Sequence, residues 1–338
     1  MSVAADEAPD EPVLIPVVAD GTDQSALINL MLATSTASVL ELPPGDYWIG
    51  SNIYIPEGKT LVGAGQGLTT LHFLATFDAH VDNRAIVLGD RAGLSDLTVN
   101  GEKVGLGLSS AERICGVIGA GVDFLVERVS VVNTTGYAFW AFGNNDTTRP
   151  PASGVFRDCY AENANVLFET SDADGVLFER CVGADGDGDI AVASAFHPAA
   201  GSQNVSFVDC EYEGAGPVID VLANLGDQAG ILFQNVRGTT TGPADAVYIV
   251  GDGRSQVTIV DSSIVALQGY ALFVQNSDLL AVRSSFETPR IGAWFDRNST
   301  GYFAGSEISA IAAPGSLGLN YAIFTEGSVL WEGGEISV

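Results

Sequence analysis

The stretch Gly175-Val-Leu-Phe-Glu-Arg-Cys-Val-Gly183 has copies on both sides of it. The copy before it reads Gly154-Val-Phe-Arg-Asp-Cys-Tyr-Ala161, and the copy after it reads Asn204-Val-Ser-Phe-Val-Asp-Cys-Glu-Tyr212. Further versions begin at Ala92, Phe124, Gly230, Gln256, Thr300 and Ser328. Taking one large apolar residue per copy as an anchor aligns Leu94, Val126, Phe156, Phe178, Phe207, Phe233, Ile259, Ala281, Phe303 and Trp331. The intervals run from 22 residues (Phe156 to Phe178) to 32 (Leu94 to Val126). A constant pattern at variable spacing marks a solenoid, in which strands stack coil on coil and loops absorb the extra residues.

Apolar residues recur at −2, +3 and +5 from the anchor, as in Val205, Phe207, Cys210 and Tyr212. The two-residue step is strand alternation, and the three-residue step demands a bend between two short strands. Polar pairs such as Arg157-Asp158 and Glu179-Arg180 fill that bend. Cys159, Cys181 and Cys210 share the +3 slot in successive coils. They are expected to form an inward ladder about 4.8 Å per rung, which is packing and not a zinc site, because no fourth ligand shares the slot. Cys115 falls on a different strand.

A second strand is expected in each coil: Ala138-Phe-Trp-Ala, Val166-Leu-Phe-Glu, Ile190-Ala-Val-Ala, Ala246-Val-Tyr-Ile, Ala271-Leu-Phe-Val, Ala293-Trp-Phe-Asp and Ala322-Ile-Phe-Thr. Both alternating faces are apolar. Aligned by first residue, one carries Trp140, Phe168, Tyr248, Phe273, Phe295 and Phe324, and the other Phe139, Leu167, Val247, Leu272, Trp294 and Ile323. One face fills the interior. The other is covered by loops or by another subunit, or forms a strip on which sugars stack.

With 42 Asp and Glu against 14 Lys and Arg, the net charge is −28, which repels nucleic acid. No window has the apolar length of a membrane span. Residues 1–16 read as an acidic, Pro-containing tether without the features of a secretory signal, and 17–338 as one elongated domain. Ala26, Leu27, Leu30 and Met31 would line one face of a short helix, with Asp23 at its N-cap, that covers the open end of the stack.

Asp20-Gly-Thr-Asp23, Leu42-Pro-Pro-Gly-Asp-Tyr47 and Leu61-Val-Gly-Ala-Gly-Gln-Gly67 resemble the start of the pectate-lyase-like right-handed β-helix proteins. That superfamily includes polysaccharide lyases, glycoside hydrolases, uronan epimerases and phage tailspikes. The resemblance implies an all-β, single-stranded right-handed parallel β-helix of roughly ten to twelve coils with a short N-terminal capping helix. It also implies a polysaccharide partner. Gly136-Tyr-Ala-Phe-Trp-Ala-Phe-Gly143 stands where alginate-epimerase-type helices carry Tyr-Gly-Phe-Asp-Pro-His. Tyr137 matches the tyrosine, but Trp140 and Phe142 replace the carboxylate and imidazole that such chemistry needs.

Asp220 interrupts the apolar strand Val218-Ile-Asp-Val221. If Ile219 faces inward, Asp220 is exposed in the aromatic column between Phe168 and Tyr248. It is then a candidate acid or base, with Glu169 or Asp189 as a second carboxylate. Tyr137, Trp140, Phe168, Tyr248 and Phe273 are the candidate sugar-binding residues. In Gly183-Ala-Asp-Gly-Asp-Gly-Asp-Ile190, with His197 close behind, Asp185 and Asp187 are the candidate ligands for Ca²⁺; the alternative is an ordinary Gly/Asp turn. The absence of an export signal on a fold usually met outside the cell, the N-terminal tail and the doubly apolar strands favour a virion-type spike. Such a spike would be virion-borne or extracellular, homotrimeric, bound to other virion proteins through its tail, and would bind and in some cases degrade cell-surface polysaccharide. A stand-alone lyase, hydrolase or epimerase is the alternative.

Overall fold

The computed structural model describes residues 11–74, 84–102, 114–143, 149–185, 194–224, 226–251, 253–310 and 323–337. Asp187 and Asp189 lie outside them, as does the Ile190-Ala-Val-Ala segment. The chain winds into a parallel β-solenoid of about 11 turns with a single helix among the described residues. Two strand stacks carry it. Sheet A, of 21 strands, takes the two short strands flanking the bend in each coil; sheet B, of 11 strands, takes the remaining one. Every pairing between successive coils is parallel, as Phe156↔Phe178 and Phe178↔Phe207 illustrate.

The anchor alignment read from the sequence is the register of sheet A. Leu94, Val126, Phe156, Phe178, Phe207, Phe233, Ile259, Ala281, Phe303 and Trp331 are consecutive Cα partners. The column continues upstream through Leu61, Leu40 and Val13. Val13–Leu14 therefore pairs in the first coil and Ile15 is fully buried, so the segment read as a tether already enters the solenoid at residue 13. Phe156, Phe178, Phe207 and Phe233 stack face to face at centroid distances of 4.8, 4.6 and 5.0 Å. Rings from sheet B meet them at steep angles, Phe139 on Phe156 and Phe168 on Phe178. Offset stacks along the axis and edge contacts across it both suit the ring quadrupole.

The expected bend is a ladder of left-handed residues. Asp96, Arg128, Asp158, Arg180, Asp209, Asn235, Asp261, Arg283, Gly305 and Gly333 occupy it in turn, with φ between 49° and 69°. The backbone favours Asn, Asp or Gly there. Arginine is tolerated at three rungs because each lies beside an Asp: Arg128 with Asp96, Arg180 with Asp158 and Arg283 with Asp261, all at 2.7 Å. The bend arginines are thus occupied by neighbouring coils. Next to the bend, Cys159, Cys181 and Cys210 form the inward thiol ladder, each directing Sγ to the anchor carbonyl one coil back. Ser284 and Ser306 make the same bond later in the column.

The helix spans Ser25–Thr34 and packs against strand Ile53–Ile55. Its buried face is Ser25, Ile28 and Leu32, whereas Leu30 is exposed, so the apolar stripe is rotated from the expected one. Asp23 accepts the Ser25 amide at 2.9 Å, yet the N-cap position itself is Gln24.

Candidate functional site

Register places one outward column along sheet B: Tyr54, Val87, Ile118, Trp140, Glu169, His197, Asp220, Tyr248, Phe273 and Trp294. The adjacent inward positions, Phe139, Phe168, Phe196, Ile219, Val247 and Leu272, are fully buried. The column is aromatic at Trp140, charged through three rungs, and aromatic again from Tyr248.

Two expected face assignments are corrected by this register. Phe168, expected among the sugar-binding residues, fills the interior, and Glu169 takes its place beside Trp140. Phe295 is likewise interior, and Trp294 stacks on Phe273 at 4.4 Å. Aligning the copies by their first residue slipped the Val166 and Ala293 strands by one position, because Val166 pairs with Tyr137 and Ala293 with Leu272. A slip of one exchanges the two faces. Val166–Ser171 pairs in the next coil with Ser194–Ala199, which brings His197 into the column between Glu169 and Asp220, a place the sequence reading did not give it.

The charged rungs form a connected network. Trp140 Nε1 donates to Ser171 Oγ at 3.2 Å, and Ser171 Oγ donates to Glu169 Oε1 at 2.9 Å. Glu169 Oε2 meets His197 Nδ1 at 3.2 Å, and His197 Nε2 lies 3.8 Å from Asp220 Oδ2. Glu169 and His197 retain only 5% and 13% side-chain exposure, and Asp220 17%. Burial by itself would lower the pKa of His197, but the charges of Asp220 and Glu169 carry it up to about 9. The imidazolium is then the neutral-pH form. Burial raises the pKa of Asp220 above the ordinary carboxylate value, against the pull of His197. Ser194 adds a hydroxyl that faces Asp220 without closing a hydrogen bond of standard geometry. His197 Nε2 also has no hydrogen-bond partner among the described residues, so a buried donor is left for an incoming acceptor.

Asp220 and Glu169 are thus brought to one site with Trp140 and Tyr248, with His197, Ser171, Ser194 and Trp294 beside them. Tyr137 packs on Trp140 at 4.7 Å and Phe142 at 4.2 Å, forming an aromatic cluster at one end. Tyr248, Phe273 and Trp294 form a half-buried stacked strip at the other. From Trp140 to Trp294 the column covers six inter-strand steps, about 29 Å. Asp185, a candidate Ca²⁺ ligand, directs Oδ2 at the Ala215 amide and lies outside this column. Among the described residues, no group of three or more acidic, His or Cys side chains is arranged to hold a metal ion. No helix of the structure is long and apolar enough to cross a membrane.

No protein-family model and no curated protein matches the chain by sequence. Solved structures do. The A-module of a mannuronan C-5 epimerase of Azotobacter vinelandii is similar at a TM-score of 0.67 and 15% identity, over 96% of this chain and 94% of that one. A surface adhesin of Streptococcus pneumoniae is similar at 0.64 and 9% identity, over 96% and 90% of the two chains. The catalytic domain of a family GH87 α-1,3-glucanase in complex with nigerose matches at 0.60 and 14% identity, over 98% and 69%. At these identities the likeness is one of fold. Together with the parallel ladders of sheets A and B, it shows that the chain has the right-handed parallel β-helix fold.

Proposed function

We propose that the protein binds a polysaccharide laid along the outer face of sheet B and cleaves it at the Glu169–His197–Asp220 cluster. The observation that carries this reading is the single outward column that runs aromatic, charged, aromatic. Half-buried rings of this kind stack on the apolar faces of sugars and hold a chain along the axis. An α-1,3-glucanase and a mannuronan epimerase, both acting on polysaccharides, share the fold. Asp220 supplies the proton to the leaving glycosidic oxygen, because a carboxyl with a raised pKa is the acid partner in such chemistry. Water adds to the anomeric carbon as the glycosidic C–O bond breaks and releases its proton to solvent, while His197, held by Glu169, donates from Nε2 to a sugar hydroxyl and fixes the unit under attack. Glu169 is the positioning residue. The test is a polysaccharide panel read for new reducing ends and for the ultraviolet absorbance of unsaturated uronates. Reducing ends without absorbance, abolished in Asp220→Asn, are expected. Unsaturated products would replace hydrolysis with elimination, and no product in either assay would remove the cleavage reading.

The wider setting we propose is a virion-type, extracellular appendage that assembles as a homotrimer, attached to other virion proteins by its N-terminal segment. A second outward column supports lateral assembly. Leu125, Val155, Leu177, Ser206, Leu232, Thr258, Leu280, Tyr302 and Leu330 follow one another along sheet A without a charge, on a chain of net charge −28. Leu280, Tyr302 and Leu330 line a groove of 570 Å³ at its C-terminal end. The helix Ser25–Thr34 would close the N-terminal mouth, since Ile28 and Leu32 enter the core there. Light scattering is expected to give three times the chain mass, and a monomer at micromolar concentration would remove the trimer.

A further inference from the structure

The same outward face of sheet B holds a cavity near its N-terminal end, three rungs from Trp140 and about 14 Å away along the axis. It measures 290 Å³ and is lined chiefly by Asn52, Tyr54, Val87, Ala120 and Arg149. Its walls are fixed. Asn29 of the helix accepts the Tyr54 amide at 2.9 Å and donates to the Asn52 carbonyl at 2.7 Å, so the start of strand Ile53–Ile55 is held in place. Gly89 leaves room for the Tyr54 hydroxyl, which would lie 3.0 Å from a Cβ at that position. Tyr54 nonetheless keeps 54% of its surface exposed, an open ring on the cavity wall.

Two groups lack the close partners that their chemistry calls for. Asn52 Oδ1 is buried without a hydrogen bond among the described residues. An acceptor in that state is costly unless a ligand donor or water reaches it. Arg149 stands at 56% exposure, and its nearest carboxylate among the described residues is Asp90 at 3.9 Å, beyond hydrogen-bond distance. Asp90 Oδ1 is already used by the Val122 amide at 3.0 Å. The cavity thus offers a planar cationic donor, a buried acceptor and an aromatic face. The central cluster offers a different set, two carboxylates around one imidazole.

We infer that this cavity is a distal sugar subsite that takes an acidic unit, with the sugar carboxylate on Arg149, a ring hydroxyl donating to Asn52 and the sugar face against Tyr54. The inference rests on the polysaccharide reading of sheet B and adds its substrate class, a glycan with carboxylate-bearing units spaced several residues from the bond under attack. Arginine suits the role because its fork matches a carboxylate and stays charged at all working pH values.

The experiment is ligand-observed NMR on the full chain, using glucuronate, galacturonate and mannuronate and their neutral parent sugars as probes, with Arg149→Gln, Tyr54→Ala and Trp294→Ala variants. Uronates are expected to bind wild type several-fold better than the neutral sugars, and Arg149→Gln is expected to remove that preference, a loss of about tenfold for one charge-assisted contact. Trp294→Ala, at the far end of the column, is expected to leave uronate binding unchanged while weakening longer oligosaccharides. Equal binding of acidic and neutral sugars, or an Arg149→Gln variant that keeps the preference, overturns the subsite. If Trp294→Ala still weakens oligosaccharides in that case, the polysaccharide reading survives alone. If no probe and no oligosaccharide binds, both fall. Circular dichroism and thermal melts of each variant separate a lost contact from a lost fold.

Discussion

His197 is held between Glu169 and Asp220 in a largely dry site, and this makes the stability of the protein pH-dependent in a defined window. The folded-state pKa is carried up to about 9 from an unfolded value of 6.5. A raised pKa means that the folded chain binds the proton more tightly than the unfolded one. The associated stabilisation is complete below the unfolded value and is lost as pH rises through the folded one. The difference of about 2.5 units, at 1.36 kcal/mol per unit, corresponds to roughly 3 kcal/mol. Asp220 also has a raised pKa, so its contribution too is lost as pH rises, starting from the ordinary carboxylate range. Urea unfolding of wild type at pH 6, 7.5 and 9.5 is expected to show a fall of roughly 3 kcal/mol between the extremes beyond that of His197→Gln. Salt should weaken the effect little, because His197 has only 13% side-chain exposure. An NMR titration of the imidazole gives the pKa directly. A midpoint at or below 6.5, or the same pH slope in the variant, would refute the charge arrangement on which the proposed acid catalysis depends.

Phe178→Ala removes a ring stacked on Phe156 at 4.8 Å and on Phe207 at 4.6 Å, and is expected to cost about 3–5 kcal/mol in denaturant unfolding. Cys181→Ser should fall within about 1 kcal/mol of wild type, since Ser284 and Ser306 already make the same bond to an anchor carbonyl; a larger loss would mean that the thiol ladder depends on sulfur packing. Arg283 sits at φ 49° on the bend ladder, where the next two rungs are Gly305 and Gly333. Arg283→Gly is expected to be nearly neutral by thermal melting, because the pair with Asp261 is exposed and screened by solvent. Arg283→Val is expected to cost on the order of 1–2 kcal/mol more, since a β-branched residue resists that conformation; equal melting of the two variants would remove the strain argument.

The anchor column was legible because its residues are chemically similar: an apolar side chain in every coil and, at six of the ten aligned anchors, a Cys or Ser three positions later. Phe156, Phe178 and Phe207 can be superposed by eye, and the backbone pairs them as superposed. Sheet B was only half legible. Its strands are apolar on both faces, so nothing in Val166-Leu-Phe-Glu distinguishes Phe168 from Glu169 as the outward residue except the partner in the coil before. His197 was missed because its place in the column depends on the register of Ser194–Ala199 with Val166–Ser171, which no local pattern in the sequence marks.

By itself, the repeat of Gly175–Gly183 determined the solenoid, its bend and its inward ladder, because strand alternation and a three-residue step leave one way to bury the anchors. Only the tertiary structure decided which rings and which carboxylates share the outer face of sheet B. A face is assigned by register between strands some 20 to 30 residues apart, and a shift of one residue exchanges the two sides. Burial then completes the site, because the ionisation of His197 and Asp220 follows from their neighbours across coils and from the exclusion of water, neither of which is local in the chain.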